Sequence, residues 1–401
     1  MRLLIRDLVQ VATPAGRDAP LRGPALGDVH VIEGAYVLCD GETIESVGRM
    51  SDLPALDSDV VEIDGRGCCA VPGLVDCHTH AAFGGDRVEE FSLRAGGATY
   101  EELHARGGGI LSTVRATRAA GEEGLRTAVE RHRGWMLAHG TTTFESKSGY
   151  GLDRDTEIAS LRAIRAAGGI PTWLGAHAVP PEFDDADAYL DVAVAEVLPE
   201  AAEIAEAADV FLERGAFDVA QARRYLEACR AAGLALRIHG DQFTEQGAIP
   251  LAVELGARSV DHLEATGPDG VRALAASDVS AVVLPASALF LGRPMPPARA
   301  LVDAGAAVAI ATDFNPGSAF CESLPLCCSL AATQMTISPA EALSACTVNA
   351  AHVLGRAGSI GRLAPGYRAD VVLLGAPDWR YLAYHLGGDL VDRVVAGGEL
   401  R

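Results

Sequence analysis

The residues of this 401-residue chain best suited to chemistry are histidines and one carboxylate. His78 and His80 flank a single residue in the run Asp76-Cys77-His78-Thr79-His80. In an extended strand, residues two apart face the same side, so both imidazoles can address one metal. By itself, His-x-His spacing is weak evidence, since solvated loop histidines show it too. A third imidazole, His239, stands in Arg237-Ile238-His239-Gly240-Asp241-Gln242, and a carboxylate, Asp313, in Ala311-Thr312-Asp313-Phe314-Asn315. Each closes an apolar strand-like run. Three histidines and an aspartate can hold one divalent metal, Zn2+ or Fe, and leave room for a water molecule that the metal activates.

Residues this far apart meet only if a scaffold presents strand ends on one face. Between about Val71 and Gly355, apolar strands alternate with charged amphipathic helices. Eight strand candidates occur: VPGLVDCHTH, GTTTFESKS, TWLGAHA, DVFLERGAF, ALRIHGDQF, SVDHL, AVVLP and VAIATDF. Eight such units predict an α/β fold, a (β/α)8 TIM-type barrel, in which chemistry sits at the C-terminal strand ends. A doubly wound open sheet is the alternative, but no GxGxxG opens a helix after the first strand. Gly107-Gly108-Gly109 reads as a turn. Residues 1–70 and 356–401 read as short strands with turns such as Asp40-Gly41, and predict a small β-sandwich domain formed by both termini. Residues 71–355 are then the barrel.

The formal net charge is −21, from 54 acidic against 33 basic residues, and Lys147 is the one lysine. Such a chain lacks the basic face that nucleic acid requires. A small anionic substrate would need a locally placed arginine, because the overall field repels it. The nine cysteines are odd in number and scattered through apolar runs, as expected of buried thiols in a reducing compartment. Arg2, Arg6 and Asp7 interrupt the apolar N-terminus, and no run of about 18 uninterrupted apolar residues occurs, so the expectation is a cytoplasmic protein with no membrane partner.

The succession VPGLVDCHTH, a strand-end histidine, DHL and ATDFNPGS resembles the amidohydrolase superfamily. The resemblance sharpens to the imidazolonepropionase family in HTHAAFGGDRVEEF, RGGGILSTVRATR, GTTTFESKSGYGL, LGAHAVPPE, DVFLERGAF, TVNAAHVLG and YHLGGDLVDRVVAGG, which together span essentially the whole chain. It implies hydrolysis of 4-imidazolone-5-propanoate to N-formimidoyl-L-glutamate in histidine degradation, and a homodimer. Binuclear superfamily members carry a carbamylated lysine on the fourth strand. The fourth strand here has none and Lys147 lies on the second, which favours a single metal held by His78, His80, His239 and Asp313.

The resemblance also assigns roles. His262, closing the sixth strand, corresponds to the histidine that faces the activated water, where an imidazole can orient it or carry a proton. Arg87 corresponds to the arginine that binds the substrate carboxylate, a task suited to a bidentate guanidinium. Tyr150 and His177 correspond to hydrogen-bond donors to substrate, Tyr100 to a pocket-lining residue, and Asn315, Gly317 and Ser318 to the loop that takes the glutamate part of the product. Many family members have glutamate where this chain has Gln242. A neutral amide cannot act as a base, so proton handling passes to Asp313 and His262, with Gln242 bonding the imidazolone ring.

Two other readings compete. A deaminase of the same superfamily would share the mononuclear ligand set, but commonly has glutamate at the position of Gln242. An amidohydrolase-fold assembly protein without catalysis would be expected to have lost ligands that this chain retains.

Overall fold

Alternating apolar residues at the start of the chain form a sheet. In a computed structural model describing residues 2–56, 59–97 and 108–401, these strands are β1 (Arg2–Pro14), β2 (Val29–Asp40), β3 (Thr43–Arg49), β4 (Val60–Asp64) and β5 (Cys69–Pro72). β1 pairs antiparallel with β2, and β2 turns back into β3 through Gly41 and Glu42. β4 and β5 run parallel to different stretches of β1.

The barrel follows: β6 (Leu74–Asp76), β7 (Thr141–Lys147), β8 (Ile170–Ala176), β9 (Ala207–Leu212), β10 (Ala235–Gly240), β11 (Ser259–His262), β12 (Ser280–Val283) and β13 (Val308–Ile310). All eight are parallel and pair in sequence order. Their residues are almost continuously buried, as helices on the outer face require of a parallel sheet. Closure between β6 and β13 occurs just beyond the strand ends. Thr79 and Phe314 form a parallel bridge, Asp313 N–H donates to His78 O at 3.0 Å, and His80 N–H donates to Phe314 O at 2.9 Å. The seam of the barrel therefore stitches the predicted ligands of the first and eighth strands together.

The run VPGLVDCHTH, expected as one strand, is two. Its first part, in β5, belongs to the terminal sheet, and β6 belongs to the barrel. The break is at Gly73, whose Cα lies so close to Thr142 and Asp370 that a Cβ would collide with both side chains. A side chain here would prise the two sheets apart.

At the far end, β14 (Val371–Leu374), β15 (Val391–Ala396) and β16 (Glu399–Leu400) return to the terminal sheet, where β14 pairs antiparallel with β5. The result is one mixed eight-stranded sheet drawn from both termini. Leu3, Ile5, Val37 and Ile44 from one half share a buried cluster with Val371, Leu373 and Val395 from the other, so the sheet folds over its own core. Among the described residues, no helix is long and apolar enough to cross a membrane.

Candidate metal centre and active site

Five of the predicted side chains converge at the C-terminal mouth of the barrel. His78 and His80 lie just past β6, His239 near the end of β10, His262 at the last residue of β11, and Asp313 just past β13. All are at most 3% exposed. His262 and Asp313 have φ of 87° and 57°, a conformation costly for residues with a Cβ.

The donor atoms face one another. Asp313 Oδ1 lies 3.5 Å from His78 Nε2 and 3.4 Å from His80 Nε2, and His80 Nε2 lies 3.3 Å from His239 Nε2. One ligand atom each from His78, His239 and His262 also falls within 4.8 Å of the others. His78 Nε2 is buried without a hydrogen-bond partner, while its Nδ1 is 2.6 Å from Asp261 Oδ2. A carboxylate can only accept, so Nδ1 carries the proton and Nε2 directs a lone pair at the centre. Buried lone pairs aimed together are costly unless a cation joins them. The arrangement of imidazole nitrogens and one carboxylate oxygen suits a divalent metal.

Beneath the ligands lies a layer of buried charge. Asp261 holds His78; Asp209 Oδ1 lies 3.0 Å from His239 Nδ1 and accepts the His239 backbone N–H at 3.1 Å. Lys147, fully buried, places Nζ 2.9 Å from Glu145, 3.0 Å from Asp209 and 4.0 Å from Asp261. Burial opposes its charge, but the carboxylates of Glu145 and Asp209 outweigh burial and raise its pKa. Lys147 is thus an ammonium engaged by carboxylates. Histidine ligands are commonly oriented by such outer partners. Glu264 Oε1 lies 3.6 Å from His262 Nδ1, beyond hydrogen-bond length, and that nitrogen is buried without a hydrogen-bond partner.

Asp209, Asp261, Glu145 and Glu264 escaped the sequence reading as functional residues. A signal existed for Asp209, a charged residue inside the otherwise apolar strand β9, where an unpaired charge is not tolerated.

Above the ligands opens a cavity of about 440 Å³, within the range of small-molecule sites, lined by His80, His239, His262 and Asp313 together with Arg87, Tyr150, His177, Gln242, Asn315, Gly317 and Ser318. Ligands and predicted substrate residues therefore share one chamber. Tyr100 lies outside the described residues. Three details refine the expectations. His177 Nδ1 donates to Gly149 O at 2.9 Å, and burial pushes its pKa down to about 4. With that proton engaged by the carbonyl, the neutral ring turns Nε2, an acceptor, to its other side. Tyr150 keeps its phenolic proton, since burial pushes its pKa upward, and so has an O–H to donate.

Second, Arg87 does not present a free guanidinium fork. Its Nε donates to Glu90 Oε2 at 3.0 Å, and Nη2 is paired with Glu90 Oε1. Nη1 lies against Gly317, in the space that a side chain there would fill. Third, Asn315 is occupied in shaping its loop. Its amide donates to Asp313 O at 2.6 Å and Ser318 Oγ at 2.8 Å, and its Oδ1 accepts N–H groups of Gly317 and Ser318 at 2.8 and 2.7 Å.

The sequence model of the Amidohydrolase family matches residues 69–400. The imidazolonepropionase of Rubrobacter xylanophilus is 62% identical over 411 residues, covering 99% of this chain and 98% of that protein. That of Chloroflexus aggregans is 48% identical over 417 residues, with 99% and 98% covered. Among solved structures, atrazine chlorohydrolase from Arthrobacter aurescens TC1 complexed with zinc superposes with a TM-score of 0.70 at 20% identity, covering 99% of this chain and 94% of that one, a likeness of fold. Relatives this similar along their whole length share a lineage as well as an architecture, and this chain belongs to the imidazolonepropionase family of amidohydrolases.

Proposed function

We propose that the chain hydrolyses 4-imidazolone-5-propanoate to N-formimidoyl-L-glutamate, as the name of its relatives suggests. The observation that carries this reading is the chamber itself, where His80, His239 and Asp313 of the proposed His/His/His/Asp centre line the same cavity as Arg87. A cyclic amide bearing a carboxylate needs both.

A divalent metal, Zn2+ or Fe, held by His78, His80, His239 and Asp313, would acidify a water molecule and polarise the ring carbonyl. The protein side chains do the rest. Asp313, whose carboxylate oxygen lies 3.5 and 3.4 Å from the Nε2 atoms of His78 and His80, takes the proton of the attacking water and passes it to the departing ring nitrogen. His262, at the cavity wall beside the centre, faces the developing oxyanion and stabilises it. Arg87 binds the propanoate through Nη1 while Glu90 fixes its other edge. Tyr150 donates to the ring, His177 Nε2 accepts a ring N–H, and Gln242 supplies an amide able to do both.

We further read the protein as a cytoplasmic homodimer. The nine cysteines are free thiols, which suits a reducing compartment; light scattering decides the oligomeric state. The function is tested by incubating the purified chain with imidazolonepropionate and detecting formimidoylglutamate by mass spectrometry. Ammonia released from a purine or pyrimidine, with no formimidoylglutamate, would replace this reading by that of a deaminase. Elemental analysis identifies the metal; absence of bound metal, with no activity on reconstitution, would favour the non-catalytic assembly protein.

A further inference from the structure

Glu157 lies outside the metal centre, in the first turn of helix Arg154–Ala166, and is 1% exposed. A carboxyl at this depth requires donors around it, and it has them. Oε1 accepts the backbone N–H groups of Gly149 at 3.0 Å, Gly151 at 2.8 Å and Leu152 at 3.0 Å, and Oε2 lies 3.1 Å from the Gly149 N–H. The Ser148 side chain contributes another hydrogen bond.

The N–H groups converge because the backbone between 149 and 152 turns through two positive-φ residues, Gly149 at 96° and Leu152 at 54°. Gly149 admits no side chain, since a Cβ would stand 2.9 Å from Leu174 O and 3.0 Å from His177 Nδ1. Leu152 gains nothing from its conformation locally and must be held there by its surroundings. Converging backbone N–H groups of this kind form a nest that elsewhere cradles an anion. Here the anion is the protein's own.

The loop so held carries one residue of the cavity wall and fixes another. Tyr150 lies between the two glycines, and Gly149 O accepts the proton that sets the His177 tautomer. The Tyr150 and His177 rings lie 5.2 Å apart, and each flanks the metal-site His80, at 5.8 and 5.5 Å. From the outer side, Arg118 Nε donates to Gly151 O at 2.7 Å and pairs with Asp153 at 2.8 Å. The loop is thus gripped by its N–H groups from within and by a carbonyl from without.

We propose that Glu157 is a positioning residue, an internal anion whose carboxylate latches the 148–152 loop and thereby fixes Tyr150 and His177 against the substrate. This rests on the reading of those two residues as substrate contacts. Glu157→Gln keeps the shape but turns an amide N–H2 toward backbone donors. The expected result is a KM for imidazolonepropionate raised by about 10-fold or more, with a smaller fall in kcat and wild-type metal content, because a misplaced contact costs binding and alignment without touching the metal ligands. Amide hydrogen exchange read by mass spectrometry should show lost protection in peptides covering 148–153, with β10 and β11 unchanged.

The latch requires both changes: a wild-type KM, or wild-type exchange in that segment, overturns it. If Glu157→Gln does not fold, Arg118→Met, altered at the solvent side of the same loop, is put to the same two measurements. The direction expected is the same, the size smaller, and no change in either overturns the proposal. A wild-type chain that fails to turn over imidazolonepropionate would count against the function, and the exchange comparison would still decide the latch.

Discussion

Lys147 Nζ lies 3.0 Å from Asp209 Oδ2, and Oδ1 of the same carboxylate lies 3.0 Å from Nδ1 of the metal-site His239. The one lysine of the chain thus reaches a proposed ligand through an aspartate, and also compensates Glu145 and Asp261. Lys147→Met should leave these carboxylates mutually repelling and His239 less firmly oriented. Metal affinity is expected to fall by about 10- to 100-fold, the usual scale for loss of an outer partner. Competition with a chromogenic chelator measures it; unchanged affinity in a folded variant would reduce Lys147 to core packing.

Asp313→Asn removes the charge from the proposed ligand and proton carrier. Turnover should drop by about 10³-fold or more, at the upper end of general acid–base contributions combined with weaker metal binding. Circular dichroism should be unchanged, because the Asp313 backbone N–H, which closes the barrel on His78 O, is retained. Wild-type kcat in a metal-saturated variant would exclude the role.

His262→Ala should lower kcat by about 10²-fold with metal content retained. Its place in the cluster of inward-facing histidines predicts that the loss falls on kcat and not on KM. A near-normal rate would assign His262 to packing.

Arg87→Met deletes the cation and leaves Glu90, partly buried, facing the chamber without its partner. KM should rise by more than the roughly 10- to 150-fold expected from one charge-assisted hydrogen bond, because the orphaned carboxylate also repels the propanoate. Adding Glu90→Gln should recover part of the loss. Lysine at 87 should rescue incompletely, since a point charge cannot serve Glu90 and substrate together. Steady-state kinetics of the single and double variants decide this, and an unchanged KM in Arg87→Met would remove the basis for a carboxylate-bearing substrate.

Acid should destabilise the fold partly through His132. This side chain is fully buried, donates from Nδ1 to Ala81 O at 2.8 Å and stacks on Phe83, and burial pushes its pKa down to about 4. The unfolded chain takes up the proton near the ordinary value of 6.5 and the folded chain not until about 4. Stability from this residue is therefore complete above 6.5 and declines as pH falls through that window, by on the order of 2 kcal/mol at pH 5. His132→Asn, which keeps a donor but cannot titrate, should show a smaller fall in melting temperature between pH 7 and pH 5. Equal falls would discount His132.

Much of this protein was legible in its sequence because its periodicities are local. Eight apolar strands separated by amphipathic helices leave a closed parallel barrel as the natural way to bury them, and its C-terminal mouth is then where His78, His80, His239, His262 and Asp313 must meet. Chain order was enough for that. Tertiary structure alone decided what depends on the exact approach of distant groups. Gly73, read as the interior of one strand, is a contact between two sheets that admits no side chain. Arg87 is shared with Glu90, and the His177 proton is used by a backbone carbonyl. The buried Lys147, Glu145, Asp209 and Asp261 lie on strands β7, β9 and β11 and meet only around the barrel axis. A hydrophobic pattern specifies which face of an element is buried, but the partners of a buried charge are set by side chains that converge from separate strands, and no local pattern records that convergence.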